Sequence, residues 1–319
     1  MIPIVMSHLT ILKKNEVYLQ IESEPHVFYE LSDQFTFELP GAKFMPQYRN
    51  RYWDGKIRLF NINNGQIYVG LLDKIKKFCD DHGYSYSFVD NEYYGTPFEV
   101  NEHISYEGVK DYITSISKYA PREYQIEGVF DALRHNRRLL ISPTASGKSL
   151  MIYSIVRYYV ERGENTLIVV PTTSLVEQMY KDFADYGWDV GSFCHKIYAG
   201  KERETDSQVI ITTWQSIYKL PRKYFKRFSV VIGDEAHQFK SKSLISIMTK
   251  LDHAKYRFGF TGTLDGTQTH KWVLEGLFGP SYKIIGTKDL MTKGHVAKLD
   301  INILLLKHPP QKFETFEDE

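Results

Sequence analysis

Apolar and polar positions divide the 319-residue chain into two regimes. In the first, hydrophobic runs are short and mostly alternate with polar residues. Residues 17–21 read as a strand, and 24–35 read as a helix opening at Glu24-Pro25 with Val27, Phe28 and Leu31 on one face. A second short strand at 35–39 closes on Pro40-Gly41. Segments 56–61 and 66–69 flank Asn63-Asn64-Gly65, which predicts a hairpin with Asn-Gly at its turn. Residues 71–81 are helical up to His82-Gly83, and 84–89 form a last strand. Residues 1–92 are therefore expected to fold as a small α+β domain, followed by a connector over 93–120 with a helix at 106–117.

After Pro121 the pattern changes. A helix at 123–133 leads into strongly apolar runs at 139–141, 167–170, 209–211, 230–232 and 257–260, most of them separated by helical segments. Strands that are apolar throughout need both faces covered, so the expected class is α/β: a parallel sheet with helices on both faces over 121–298. Such sheets place ligands at the carboxyl ends of their strands.

Those strand ends carry the chemistry. The run at 139–141 feeds Ser142-Pro143-Thr144-Ala145-Ser146-Gly147-Lys148-Ser149. Backbone N–H groups of such a turn converge on a phosphate at the positive end of a helix. Thr144, Ala145, Ser146, Gly147, Lys148 and Ser149 are thus the candidate nucleotide-binding residues, with Lys148 on the β/γ-phosphates and the Ser149 hydroxyl on Mg2+. The motif asks for glycine where Ser142 stands. The run at 230–232 is followed by Gly233, Asp234, Glu235, Ala236 and His237. Asp234 is placed to hold Mg2+, and Glu235 to polarise the attacking water. Acids are common at helix starts, but an acidic pair after a buried strand, downstream of a Gly-Lys-Ser turn, points to ATP or GTP hydrolysis.

Composition narrows the partners. The chain is 42% hydrophobic and 25% charged with a net charge of +1, so any nucleic-acid surface has to be local. From 41 to 80 there are eight Lys/Arg against three Asp/Glu, and Arg49, Arg51, Tyr52, Trp53, Lys56 and Arg58 interleave with Phe44, Tyr48 and Phe60. Cations among stacking rings grip single strands or strand junctions; a solvated strand edge over core aromatics is the alternative. Cys79 and Cys194 have neither metal-ligand nor disulfide spacing, which fits a reducing cytosol. No run approaches the roughly 18 apolar residues of a membrane span, and no signal peptide opens the chain. A cytoplasmic protein without a membrane partner is expected, and nothing indicates an oligomer.

Gly-Lys-Ser followed by Asp-Glu-Ala-His resembles the superfamily 2 helicases of the DEAH/DExH type, which implies a RecA-like lobe using ATP and Mg2+. The resemblance extends in order. Arg122-Glu123-Tyr124-Gln125 is similar to the motif whose glutamine reads adenine, here Gln125. The stretch from Pro171 to Gln178 is similar to the strand-contacting motif that would use Thr172 and Thr173, and Ile211 to Ser216 to the one that would use Thr212, Thr213 and Trp214. Thr261-Gly262-Thr263, with His237, resembles the apparatus that couples hydrolysis to nucleic-acid movement. A narrower resemblance, carried by residues 50–59, 74–80, 143–149 and 213–215, is to the recombination DNA helicases of T-even-type bacteriophages. In that group serine or alanine can replace the first loop glycine. The resemblance implies a DNA motor acting on forks, Holliday junctions and R-loops in recombination, repair and replication, in the cytoplasm of an infected bacterium. Such motors have a second RecA-like lobe with an arginine finger in a Gln-x-x-Gly-Arg-x-x-Arg motif, which does not occur here. Residues 299–319 are accordingly expected to be an interlobe linker with a truncated end, and hydrolysis to be weak or absent. The alternatives are a non-catalytic, ATP-gated nucleic-acid-binding module, an RNA helicase and a restriction-type DNA translocase.

Overall fold

The computed structural model describes residues 7–97, 99–200, 202, 205–240, 242–264, 268–294 and 304–305. The strand expected at 301–306 and the linker expected at 299–319 lie outside the described residues, apart from Leu304 and Leu305.

The N-terminal part is a four-stranded sheet and a two-stranded ribbon. Its strands are β1 (His8–Lys13), β2 (Tyr18–Glu22), β3 (Thr36–Glu38), β4 (Lys56–Arg58), β5 (Gln66–Tyr68) and β6 (Ser85–Val89). The sheet runs β5-β2-β1-β6, with β1 antiparallel to β2 and parallel to β6. Leu9, Ile11, Leu19 and Ile21 alternate inward and are fully buried beneath the helices Pro25–Gln34 and Leu72–His82. The second helix ends at Gly83, whose φ of 68° supplies the left-handed cap. The hairpin expected across Asn63-Asn64-Gly65 is corrected. One bridge, Asn61 to Gln66, closes the turn, but β4 then pairs with β3 and β5 with β2, so the flanking segments enter different sheets. An Asn-Gly turn fixes a reversal of direction; it does not fix the partner of either strand.

The C-terminal part is a seven-stranded sheet in which every pairing is parallel. Its strands are β7 (Arg137–Ile141), β8 (Thr166–Val170), β9 (Cys194–Ile197), β10 (Val209–Thr213), β11 (Val230–Gly233), β12 (Tyr256–Thr261) and β13 (Ser281–Lys283), in the order β13-β7-β12-β11-β8-β10-β9. The unbroken apolar runs divide between the two faces. Leu167 and Val169 join one core, Ile168 and Val170 the other. On one face pack the helices Glu123–His135, Lys148–Val160 and Thr173–Asp185. The helix Tyr106–Ile116 joins them: Val109 and Ile113, from the stretch expected to connect two domains, are buried in that same core.

The opposite face meets the N-terminal part through a shared core. Trp272, on the helix Gln268–Phe278, lies 5.3 Å from the Phe35 ring and 5.0 Å from that of Phe37, with the Lys74 ammonium 5.5 Å above its face. At Gly70 the two backbones meet closely: a Cβ there would come within 1.9 Å of the Glu275 carbonyl oxygen. Buried Glu16 pairs with Lys13 at 2.9 Å and with Arg137 at the start of β7. Two sheets are thus joined through buried aromatic and ionic contacts rather than by a tether.

The order β7-β12-β11 has a direct consequence for the chemistry. It sets side by side the loops after residues 141, 261 and 233, which are remote in sequence.

Candidate active site

The phosphate loop begins where β7 ends. The Ser142 N–H donates to the Thr261 carbonyl at 2.9 Å, prolonging the ladder by one residue before the chain turns. The turn needs two left-handed residues, Ala145 at φ 67° and Gly147 at φ 78°. Glycine suits position 147: the φ is left-handed, and a Cβ would press on Gln125 Nε2 at 2.3 Å and disturb its hold on the loop. Ser142 is fully buried, and its hydroxyl donates to that of Ser146 at 2.6 Å. In place of the absent glycine, the side chain ties the two ends of the loop together.

Gln125 supports this loop from beneath. Its Nε2 donates to the carbonyls of Ser146 (2.9 Å) and Gly147 (3.4 Å), while its Oε1 accepts from the Arg122 N–H at 2.9 Å. Those partners fix the orientation of the amide, since carbonyls need a donor and an N–H needs an acceptor. The expected adenine reader is buried, with its amide protons engaged by the loop backbone. Tyr124 Oη adds a third contact, to the Ser146 carbonyl at 2.9 Å.

The acidic pair faces the loop. Lys148 Nζ lies 3.0 Å from Glu235 Oε1. Glu235 holds a left-handed φ of 50° and donates its N–H to Asp234 Oδ1 at 2.9 Å. A non-glycine residue in that region is strained and persists only where its surroundings impose it. Burial pushes the Asp234 carboxyl up to about 6, against the pull of Lys148 and with the repulsion of Glu235.

His237 joins the neighbouring loop. Thr261 spends its single hydroxyl proton on the Thr263 carbonyl (2.8 Å), so it accepts from His237 Nδ1–H at 3.2 Å; Glu235 Oε2 lies 3.4 Å from the same nitrogen. Gly262 brings this loop against the phosphate loop: a Cβ there would lie 3.8 Å from the Thr144 N and 3.9 Å from Lys148 Nζ. The result is a cleft of about 300 Å³ lined by Thr144, Lys148, Ser149, Asp182, Asp234 and Glu235 among others. Sequence reading missed Asp182. Its position inside an amphipathic helix gives no signal without the tertiary structure.

The donor set suits magnesium. Ser149 and Asp234 offer oxygen ligands in the cleft, and no group of three His, Cys, Asp or Glu among the described residues forms a metal cage of its own. Magnesium is commonly held by one or two side chains plus substrate phosphates.

The expected strand contacts fall into two sets. Thr172 and Thr173 are exposed at the N-terminus of their helix, where Thr172 Oγ1 also accepts from the Leu175 N–H at 3.3 Å. Thr212 is a correction. It is fully buried, and its hydroxyl donates to the Ile197 carbonyl at 2.9 Å, so its side chain cannot touch a strand. Thr213 is also buried, 2.9 Å from the Ser216 hydroxyl, and Trp214 is half-buried with its ring 5.8 Å from that of Tyr218.

Residues Lys43 to Asp54 face solvent around a groove of about 630 Å³ lined by Lys43, Tyr48, Arg49, Arg51, Tyr52 and Trp53. Tyr52 is 83% exposed, and Trp53 is pinned by its Nε1–H to the Lys56 carbonyl at 2.9 Å. Arg58 is engaged with Asp54, which leaves Arg49 and Arg51 as the arginines that line the groove.

A parallel sheet with a phosphate loop after one strand and an acidic pair two strands away, joined by a lysine–glutamate contact, defines a P-loop ATPase lobe of the helicase superfamilies. Comparison with known proteins sharpens this. Residues 118–266 match the family model of the type III restriction enzyme res subunit, and residues 9–90 that of the DNA helicase UvsW N-terminal region. The chain is 34% identical over 318 residues to the ATP-dependent DNA helicase uvsW of Enterobacteria phage T4, covering 95% of this chain and 62% of that protein. It is 30% identical over 187 residues to the DNA 3'-5' translocase XPB2 of Sulfurisphaera tokodaii, covering 57% of this chain and 39% of that protein. A crystal structure of the UvsW helicase from bacteriophage T4 superposes with a TM-score of 0.78 at 33% identity, covering 86% of this chain and 99% of that one. The chain belongs to the UvsW family of superfamily 2 helicases.

Proposed function

We propose that this chain carries the nucleotide site of an ATP-dependent DNA helicase that remodels branched DNA (forks, Holliday junctions, R-loops) in recombination and repair within a phage-infected bacterium. The reading of the cleft rests on one observation: Lys148 and Glu235, 87 residues apart, meet at 3.0 Å beside the phosphate loop. Phosphate oxygens entering there would compete for Lys148 and release Glu235 to accept a proton from the attacking water. When bound between Ser149, Asp234 and the phosphates, magnesium would neutralise charge developing on the transferred group. His237 and Thr261 would sense the Glu235 carboxylate from the neighbouring loop. Lys148 is the single cation lining the cleft among the described residues. Fast turnover would then draw on a further cation, such as the arginine finger of a second lobe, worth about 10³- to 10⁵-fold.

DNA is the proposed polymer, held by backbone contacts at Thr172 and Thr173 and by the Arg49–Arg51–Trp53 groove. These grip phosphates and stacked bases without reading sequence. Steady-state ATPase measured with junction DNA, duplex DNA and RNA at one salt concentration tests this. Junction DNA should stimulate most, and Glu235→Gln should lose 10²- to 10⁴-fold in turnover, the usual scale for a general base, while still binding nucleotide. Stimulation by RNA alone, or full turnover in Glu235→Gln, would overturn the reading.

A further inference from the structure

Ser149 is held from a side that hydrolysis does not use. Its hydroxyl lies 2.7 Å from the phenol oxygen of Tyr186, just past the end of the Thr173–Asp185 helix. Asp182, one turn earlier, lines the nucleotide cleft, where burial raises its carboxyl pKa against the pull of the Ser149 hydroxyl. Tyr186 is itself fixed in place. Its ring packs 5.1 Å from Tyr153 and edge-on to Tyr119 at 5.9 Å, and its carbonyl accepts from the Lys118 N–H at 3.2 Å.

A serine hydroxyl has one proton and two lone pairs. To ligate a cation it must turn a lone pair to the cleft, and its proton then needs an acceptor elsewhere. Tyr186 Oη stands where that acceptor is required. We propose that Tyr186 is a positioning residue for Ser149, an outer-shell partner that fixes the hydroxyl for a nucleotide-borne magnesium ion. The inference rests on the ATP reading of the cleft. It assigns the C-terminal end of the Thr173–Asp185 helix, whose other end presents Thr172 and Thr173, a role in metal binding.

The test is a binding titration of the full chain with methylanthraniloyl-ADP, in EDTA and across a magnesium series, for wild type, Tyr186→Phe and Tyr186→Leu. Loss of an outer-shell partner costs about 10- to 100-fold in metal affinity. Each Tyr186 variant should therefore need at least about 10-fold more magnesium to reach half its binding enhancement, with affinity in EDTA unchanged. Tyr186→Phe keeps the ring and its packing; should a thermal melt show it unfolded, Tyr186→Leu, which also removes the phenol oxygen, carries the comparison. A folded variant with wild-type magnesium dependence overturns the proposal, as does an equal loss in EDTA, which would mark a merely structural role. A wild-type chain that binds no nucleotide in either condition overturns the ATP reading itself.

Discussion

Trp272→Ala should separate what the fold has joined. The indole is 8% exposed and sits between Phe35, Phe37 and the Lys74 ammonium, so its removal opens a cavity at the centre of the contact between the two sheets. Burying a large aromatic removes about 150–250 Å² from water, which at roughly 25 cal/mol per Å² is about 4–6 kcal/mol. Measured tryptophan-to-alanine changes in cores cost about 3–5 kcal/mol. At roughly 2.1 cal/mol/K of unfolding entropy per residue, that corresponds to a fall in Tm of about 5–7 °C for this chain. Because one hydrophobic core runs from Leu9 in β1 to Val231 in β11, the wild-type chain should melt in one calorimetric transition, and the variant in two. Affinity for methylanthraniloyl-ADP should be retained, since the nucleotide cleft opens at the carboxyl ends of the strands. A single unshifted transition would show that the two parts do not support each other, and the reasoning from the shared core would fail.

Two further outcomes follow from the same contacts. Burial opposes ionisation of Glu16, yet Arg137 and Lys13 together hold its carboxyl below the ordinary 4.5. Its folded value is thus depressed: the stabilisation is present above that pH and is lost as pH falls below it. Acid melts of wild type against Glu16→Gln should show the wild type losing its advantage below about pH 4.5; parallel curves would contradict the assignment. In the groove, Arg49→Ala and Arg51→Ala should each weaken junction binding and reduce the salt slope by about 1 per lost phosphate contact. Arg58→Ala should change little, because Asp54 already engages that guanidinium; unchanged affinity in Arg49→Ala and Arg51→Ala would give the patch a structural role only.

Much of this architecture is legible in the residues, for identifiable reasons. Runs such as Leu167 to Val170 are apolar throughout because each strand is buried on both faces, and that pattern separates them from the alternating strands of the N-terminal sheet. The phosphate loop and the acidic pair are readable because their chemistry needs fixed residue types at strand ends. What sequence spacing leaves out is pairing and burial. The partners of β4 and β5 depend on tertiary packing, and so did the misread hairpin. β13, three residues at the sheet edge, is too short to carry a period. Thr212 and Thr172 stand at equivalent places in two similar motifs, yet one lies inside the sheet and the other on a helix N-terminus. Gln125 was found by its motif, but its grip on the Ser146 and Gly147 carbonyls appears only in three dimensions. Trp272 gives no sequence signal of its role, since its partners Phe35 and Phe37 are more than 200 residues away.

The central claim is that the cleft beside Lys148 is a magnesium-nucleotide site, and equilibrium binding tests it most directly. Titrated with methylanthraniloyl-ADP in magnesium, the wild-type chain should saturate and release the probe to excess ATP. Lys148→Ala should bind roughly 10- to 100-fold more weakly, the scale of one lost hydrogen bond to a charged group. Equal binding by the two chains, or binding that ATP does not compete, would contradict it.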